Sequence, residues 1–268
     1  LAYLNRGIAY KHLGLFSKAV ADFTEAIRRG SDGTRALNNR GLAYKNQGRY
    51  MRAIEDYNAA IRLDPGNAWA YNNRGVAWKN LGDYEKAIAD YATAIRLDPD
   101  YAWAYIHRGV AYKNTGRFAQ AIADFDRAVE LDPYNASAYR NRGVVYKKLT
   151  RYHRAISDYD KAISLDPDYA RAYNNRGAAY KKLGQYRAAI ANYDEAIRLE
   201  PDHAVFYNNR GVAYKNLGDF GKALADLNKA VDLDPELSIA YTNRGNVHRH
   251  LGEYEKAAAD YGKAIELN

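Results

Sequence analysis

Residues 68–101 read AWAYNNRGVAWKNLGDYEKAIADYATAIRLDPDY, and this pattern recurs along the chain with a period of 34 residues. Residues 68–81 carry no proline and no β-branched run, and their apolar positions return at the spacing of one helix face. Gly82 interrupts that helix, and Asp83 is placed to cap a second one. Asp98-Pro99 ends the second helix near Leu97, because proline disfavours helix in the residue before it. The stretch therefore predicts an antiparallel helix pair. Gly75, Ala87 and Ala94 let the two helices approach closely, and Tyr71, Trp78, Tyr84 and Tyr91 fill the remaining volume.

Outward from this copy the register is strict. Glycine stands at 7, 41, 75, 109, 143, 177, 211 and 245, and an arginine precedes each one, from Arg6 to Arg244. All six prolines, from Pro65 to Pro235, are also 34 apart. The copies are 1–33, 34–67, 68–101, 102–135, 136–169, 170–203, 204–237 and 238–268, one array covering 1–268. One helix pair cannot bury its own apolar face, but stacked neighbours can. The expected fold is all-α, a solenoid of eight 34-residue helix–turn–helix repeats. The chain opens one residue into a repeat and stops without a polar capping helix. It is thus expected to be an excerpt of a longer protein, or to stack its open ends on other copies as a homo-oligomer.

The residues 68–84, followed by Ala87, Tyr91, Ala94 and Pro99, resemble the tetratricopeptide repeat (TPR). The family pattern has leucine before the first glycine, where this chain has arginine throughout. The resemblance implies a right-handed superhelix whose inner wall is built by the first helix of each repeat, with eight repeats giving close to one full turn. It also implies a scaffold for protein partners.

Composition narrows the function. The absence of Cys removes disulfides and thiolate metal sites and is in keeping with a reducing, cytoplasmic compartment. No apolar run is long enough to span a membrane, and no signal segment is visible. The six histidines lack metal-ligand spacing, so no metal or cofactor is expected. There is no phosphate loop and no nucleophile elbow, and the carboxylates recur with the repeat. Catalysis needs a unique constellation, so an enzyme is not expected.

Rotation by 100° per residue places Trp69, Asn72, Asn73, Val76, Lys79 and Asn80 on the arc that the resemblance assigns to the groove. Two slots there barely vary. Two before the glycine stand Asn5, Asn39, Asn73, His107, Asn141, Asn175, Asn209 and Asn243. Four after it stand Lys11, Lys45, Lys79, Lys113, Lys147, Lys181, Lys215 and Arg249. Asn is a mediocre helix former, so its recurrence asks for a reason. A carboxamide can pair with both the C=O and N–H of a peptide unit. A row of them is similar to the asparagine ladder in the repeat region of O-linked GlcNAc transferases, although nothing of a transferase domain is present. The alternative is that Asn bridges helices and Lys is simply solvated. With a net charge of +8, the lysine row suits an acidic, extended peptide, and that is the expected ligand. Self-assembly is the alternative, with nucleic-acid binding below it, because most rings are committed to packing. The carboxylate clamp of some TPR proteins asks for lysine three before the glycine. Only Arg140 is basic there, which argues against it.

Departures from the pattern single out further places. Trp69 and Trp103 share one groove slot in adjacent copies and form a candidate hot spot for an apolar ligand segment, or cover neighbouring helices. Ile106 and His107 make the fourth copy the least polar. Gly30-Ser31-Asp32-Gly33 predicts the most flexible junction, Thr150 replaces a turn glycine, and Asn246 and His248 predict a looser last copy. The recurring arginine lies among packing residues and needs a partner. Asp22, Asp56, Asp90, Asp124, Asp158, Asn192, Asp226 and Asp260 supply the matching slot.

Overall fold

A computed structural model describes residues 1–268 as sixteen α-helices with no strand. They group into two compact units, Leu1–Pro133 and Tyr134–Asn268. The first unit holds α1 (Ala2–His12), α2 (Phe16–Arg28), α3 (Gly33–Asn46), α4 (Tyr50–Leu63), α5 (Ala68–Asn80), α6 (Tyr84–Leu97), α7 (Ala102–Asn114) and α8 (Phe118–Leu131). The second holds α9 (Ala136–Lys148), α10 (Tyr152–Leu165), α11 (Ala170–Lys182), α12 (Tyr186–Leu199), α13 (Ala204–Asn216), α14 (Phe220–Leu233), α15 (Ser238–His250) and α16 (Tyr254–Glu266). Odd-numbered helices are first helices and even-numbered ones are second helices. Within each unit a first helix packs on its own second helix, on the second helix of the preceding repeat and on the next first helix.

The helix ends follow the local chemistry read above. Asp83 caps α6 by accepting from the Lys86 amide, and α6 stops at Leu97 with Asp98 extended before Pro99. At the odd first junction, Asp32 adopts φ 40° and accepts from the Arg35 amide, so a capped turn stands where other junctions have proline.

Each pair closes around one contact. A Cβ at Gly75 would lie 2.7 Å from Tyr91 Cε1, and the same clash recurs at Gly7 with Phe23 and at Gly143 with Tyr159. The glycine slot is thus required by the ring seated across from it. The rings of Tyr57, Tyr91, Tyr159 and Tyr193 are fully buried, and burial of such a side chain contributes about 1.5–3 kcal/mol. Their hydroxyls are buried without a hydrogen-bond partner, where repeats one and four carry Phe23 and Phe125.

The expected arginine pairs are present as forks. Arg74 Nε and Nη2 donate to both carboxylate oxygens of Asp90, at 2.8 and 2.6 Å. The same geometry joins Arg6 to Asp22, Arg40 to Asp56, Arg108 to Asp124, Arg142 to Asp158, Arg210 to Asp226 and Arg244 to Asp260. Arg176 has a single bond to Asn192 instead, at 2.6 Å. The third guanidinium nitrogen reaches back into the preceding repeat. Arg40 Nη1 donates to Thr24, Arg74 to Asn58, Arg176 to Asp160, Arg210 to Asp194 and Arg244 to Asn228. A planar fork with five donors can grip both carboxylate oxygens and still reach a second helix.

The last repeat carries two polar substitutions, Asn246 and His248. Tyr261 donates to Asn246 Oδ1 at 3.0 Å, and His248 Nδ1 lies 2.5 Å from Glu253 Oε2, so each finds a partner.

Candidate functional site

The candidate surface is the exposed side of the first helices, taken unit by unit. The asparagine slot does not lie open on it. Asn73 and Asn141 are buried, His107, Asn39, Asn175, Asn209 and Asn243 are half-buried, and Asn5 alone is exposed. Five of the amide nitrogens donate within the chain. Asn39 donates to the Arg35 carbonyl, Asn73 to that of Trp69 and Asn141 to that of Ser137, each at 2.9 Å. Asn209 donates to Asn174 Oδ1 at 2.9 Å and Asn243 to Asn208 Oδ1 at 2.8 Å. Each bond uses one of the two N–H groups, so Asn39, Asn73, Asn209 and Asn243 keep one donor for a ligand, while Asn141 Nδ2 also reaches the Ser137 hydroxyl. For Asn39, Asn73 and Asn141 the partner is the carbonyl four residues back on the same helix, and for Asn209 and Asn243 it is set by the register of the stack. The slot two before the glycine on one first helix faces the slot three before it on the previous first helix, 35 residues earlier.

The slot three before the glycine, where Asn72 was expected on the groove arc, lies deeper. It holds Asn38, Asn72, Ile106 and Asn208, all buried between first helices. In the first unit His107 Nδ1–H donates to Asn72 Oδ1 at 2.8 Å, and Asn72 Nδ2 donates to the Tyr101 hydroxyl at 3.2 Å. Burial, with Lys79 and Lys45 nearby, pushes His107 down to about 4, so its ring is neutral. Asn38 Oδ1 is buried without a partner. It borders a cavity of about 420 Å³ lined also by Asp32, Arg35, Asn39, Asp64 and Trp69. Asn72 lies below the surface, so the arc read from helical rotation is narrower than expected. A helical wheel does not know that the neighbouring first helix covers one edge.

The basic slot stays at the surface. Lys11, Lys45, Lys79, Lys113, Lys147, Lys181 and Lys215 are half-buried, and Arg249 is exposed. In the first unit Lys11 Nζ donates to Asn39 Oδ1 at 2.8 Å. Desolvation pulls Lys11 below the usual ammonium range, with Arg35 adding to it, and does the same at Lys45 and Lys79. In the second unit the depression is larger at Lys181. Burial pushes Lys181 down to about 8, helped by Lys182, Lys147 and Lys215. Burial also lowers Lys147, followed by Arg140, Lys148 and Lys182. Every charged group acting on these two lysines is a cation. Arg140 Nε is itself buried without a hydrogen-bond partner, while Nη1 donates to Asn141 Oδ1 at 3.3 Å.

The two tryptophans are the aromatic part of the surface. Trp69 is 37% exposed and meets Tyr57 edge to face at 6.4 Å. Trp103 is 48% exposed and lies 5.8 Å from the His107 ring. Trp69 covers a ring of the preceding helix, Trp103 lies against His107 of its own helix, and both remain partly exposed. No cluster of His, Cys, Asp and Glu could hold a metal ion, and no helix is long and apolar enough to cross a membrane.

Comparison with known proteins agrees with this geometry. Family models described as TPR repeat match residues 41–82, 79–116 and 151–184. Models described as tetratricopeptide repeat match 102–135, 170–203, 204–237 and 238–268, with further matches at 125–157 and 2–29. No curated protein matches the chain. Among solved structures, the chain is similar to the APC/C hetero-tetramer Cut9-Hcn1, with TM-score 0.78 and 20% identity, over 91% of this chain and 48% of that one. It thus spans about half the length of that relative. A tetratricopeptide repeat protein from Parabacteroides merdae gives TM-score 0.72 at 23% identity, over 88% of this chain and 93% of that one. YrrB, described as a TPR protein with an unusual peptide-binding site, gives 0.55 at 26% identity, over 70% and 96%. The period, the helix pairs and these matches agree: the chain belongs to the tetratricopeptide-repeat family, whose arrays are scaffolds for protein–protein interaction.

Proposed function

We propose that this chain binds an extended, acidic segment of a protein partner along the exposed side of its first helices. The observation that carries the reading is the lysine slot. Lys147 and Lys181 are half-buried, their neighbouring charges are all positive, and both are held below the ordinary lysine range. Such an arrangement is unfavourable in the free chain and is relieved when a carboxylate arrives. Structural lysines are ordinarily solvated or paired. The peptide-binding site in the description of YrrB, a structure 26% identical to this chain, supports the same class of ligand.

The surface proposed runs through Lys11, Lys45, Lys79 and Lys113 in the first unit, and through Lys147, Lys181, Lys215 and Arg249 in the second. Trp69 and Trp103 add apolar contact in the first. Asn209 and Asn243 bond across the seam between first helices, and Asn39, Asn73, Asn209 and Asn243 each keep one amide N–H for a ligand. The test is binding of a fluorescent glutamate-rich peptide to the wild type and to a variant with Lys147, Lys181 and Lys215 replaced by Gln. Saturable, salt-sensitive binding that the variant loses is the expected result. Equal binding by both proteins, or assembly of the chain with itself while the peptide stays free, would overturn the reading.

A further inference from the structure

The lysines of the second unit carry information about spacing as well as charge. Lys147, Lys181 and Lys215 sit at one slot on α9, α11 and α13, and these first helices pack side by side. The bond from Asn209 on α13 to Asn174 on α11 ties two of them directly. Packed helix axes lie roughly 8–10 Å apart. An equivalent side chain on each helix is therefore repeated at about that interval along the surface. A ligand crossing the first helices meets one ammonium per interval, and Lys182 follows Lys181 by one residue.

A bound chain must bring its carboxylates to the same face at the same interval. In a β-strand, side chains on one face recur every second residue, at roughly 6.6 Å, and residues three apart point to opposite faces. In a polyproline II helix there are three residues per turn and a rise of about 3.1 Å, so residues three apart share a face at about 9.3 Å. Only the second conformation matches the lysine interval. That backbone makes no internal hydrogen bonds and needs no donor from the wall. This fits a surface on which Asn141, Asn209 and Asn243 each spend an amide N–H within the chain.

We infer that the second unit reads a polyproline II segment carrying an acidic residue at every third position, one carboxylate for each of Lys147, Lys181 and Lys215. This rests on the acidic-peptide reading above and adds the conformation and register of the ligand. Arg140, at the base of α9 with one guanidinium nitrogen buried and unpaired, strengthens the field at the Lys147 end.

The experiment compares two labelled peptides of identical composition by fluorescence anisotropy at low ionic strength. One repeats Glu-Pro-Pro three times, and the other gathers the three glutamates before six prolines. The phased peptide is expected to bind about tenfold tighter. Lys181→Gln should remove most of that preference while circular dichroism and the melting curve show an intact fold. Equal affinity for both peptides overturns the register and leaves the general reading standing. Absence of binding to either overturns both. Tighter binding of a single-stranded oligonucleotide of equal charge overturns the choice of a protein ligand.

Discussion

The two units share one repeat, yet their first-helix faces differ in how they treat charge. In the first unit the basic slot is diluted. Lys11 is hydrogen-bonded to Asn39, and the neutral His107 donates to Asn72. Trp69 and Trp103 take the neighbouring surface. In the second unit the lysines are set against one another, with Arg140 added and no indole in the slot. The same scaffold therefore supports a cationic face flanked by indoles and one without them. The difference arises from the positions that the repeat leaves free to vary, while the glycine recurs in all eight copies and the arginine–aspartate fork in seven.

The largest expected effect concerns that fork. Arg74→Leu strands the buried carboxylate of Asp90 and should lower stability by about 3–5 kcal/mol. Arg176→Leu faces only Asn192 and the exposed Asp160, and should lower it by about 1–3 kcal/mol. Urea titration of each variant, with hydrogen exchange locating the loss in one unit, checks the order. A larger loss at Arg176 would break the view that burial of Asp sets the strength of the fork.

Next comes the contrast in binding. Replacing Lys147, Lys181 and Lys215 by Gln should weaken an acidic peptide about a hundredfold. The matched change at Lys11, Lys45 and Lys79 should weaken it about tenfold or less. Equal losses in anisotropy would erase the distinction between the units.

The pH responses should also separate them. Lys181 sits at about 8 against an ordinary 10.5, so the unfolded chain holds more protons between those values. The penalty is therefore present below pH 8 and is relieved as pH rises toward 10.5, and peptide affinity falls over the same rise. His107 sits at about 4 against 6.5, so the first unit loses stability as pH falls from 6.5 to 4. Melting curves of wild type beside Lys181→Met and His107→Asn read both. If either variant kept the wild-type pH slope, its group would be the wrong source.

Smaller effects sharpen the picture of the turns and rings. Thr150 holds φ 58° where the corresponding turns carry glycine, such as Gly184 at φ 75°. Thr150→Gly should stabilise the second unit by up to about 1 kcal/mol, read as a shift in thermal midpoint. Tyr91→Phe removes an unpaired buried hydroxyl and should change stability by less than about 0.5 kcal/mol in either direction. A large loss there would mean that the hydroxyl has a partner such as a bound water.

The repeat, the helix pair, its caps and the arginine–aspartate pairing were legible in the sequence, because each follows from spacing within one 34-residue copy. So was a signal left unread there: Thr24, Asn58, Asp160, Asp194 and Asn228 share one polar slot, and the third guanidinium nitrogen goes to it. The exposure of the asparagines was not legible. A helical wheel places a side chain around its own axis, while burial depends on which residue of the next helix lies against it. Only the stacked structure sets Asn209 against Asn174, leaves Asn38 Oδ1 without a partner and gathers Lys147, Lys181 and Lys215 among like charges. Local periodicity determined what each repeat is; contacts between repeats decided which of its polar groups remain available to a ligand.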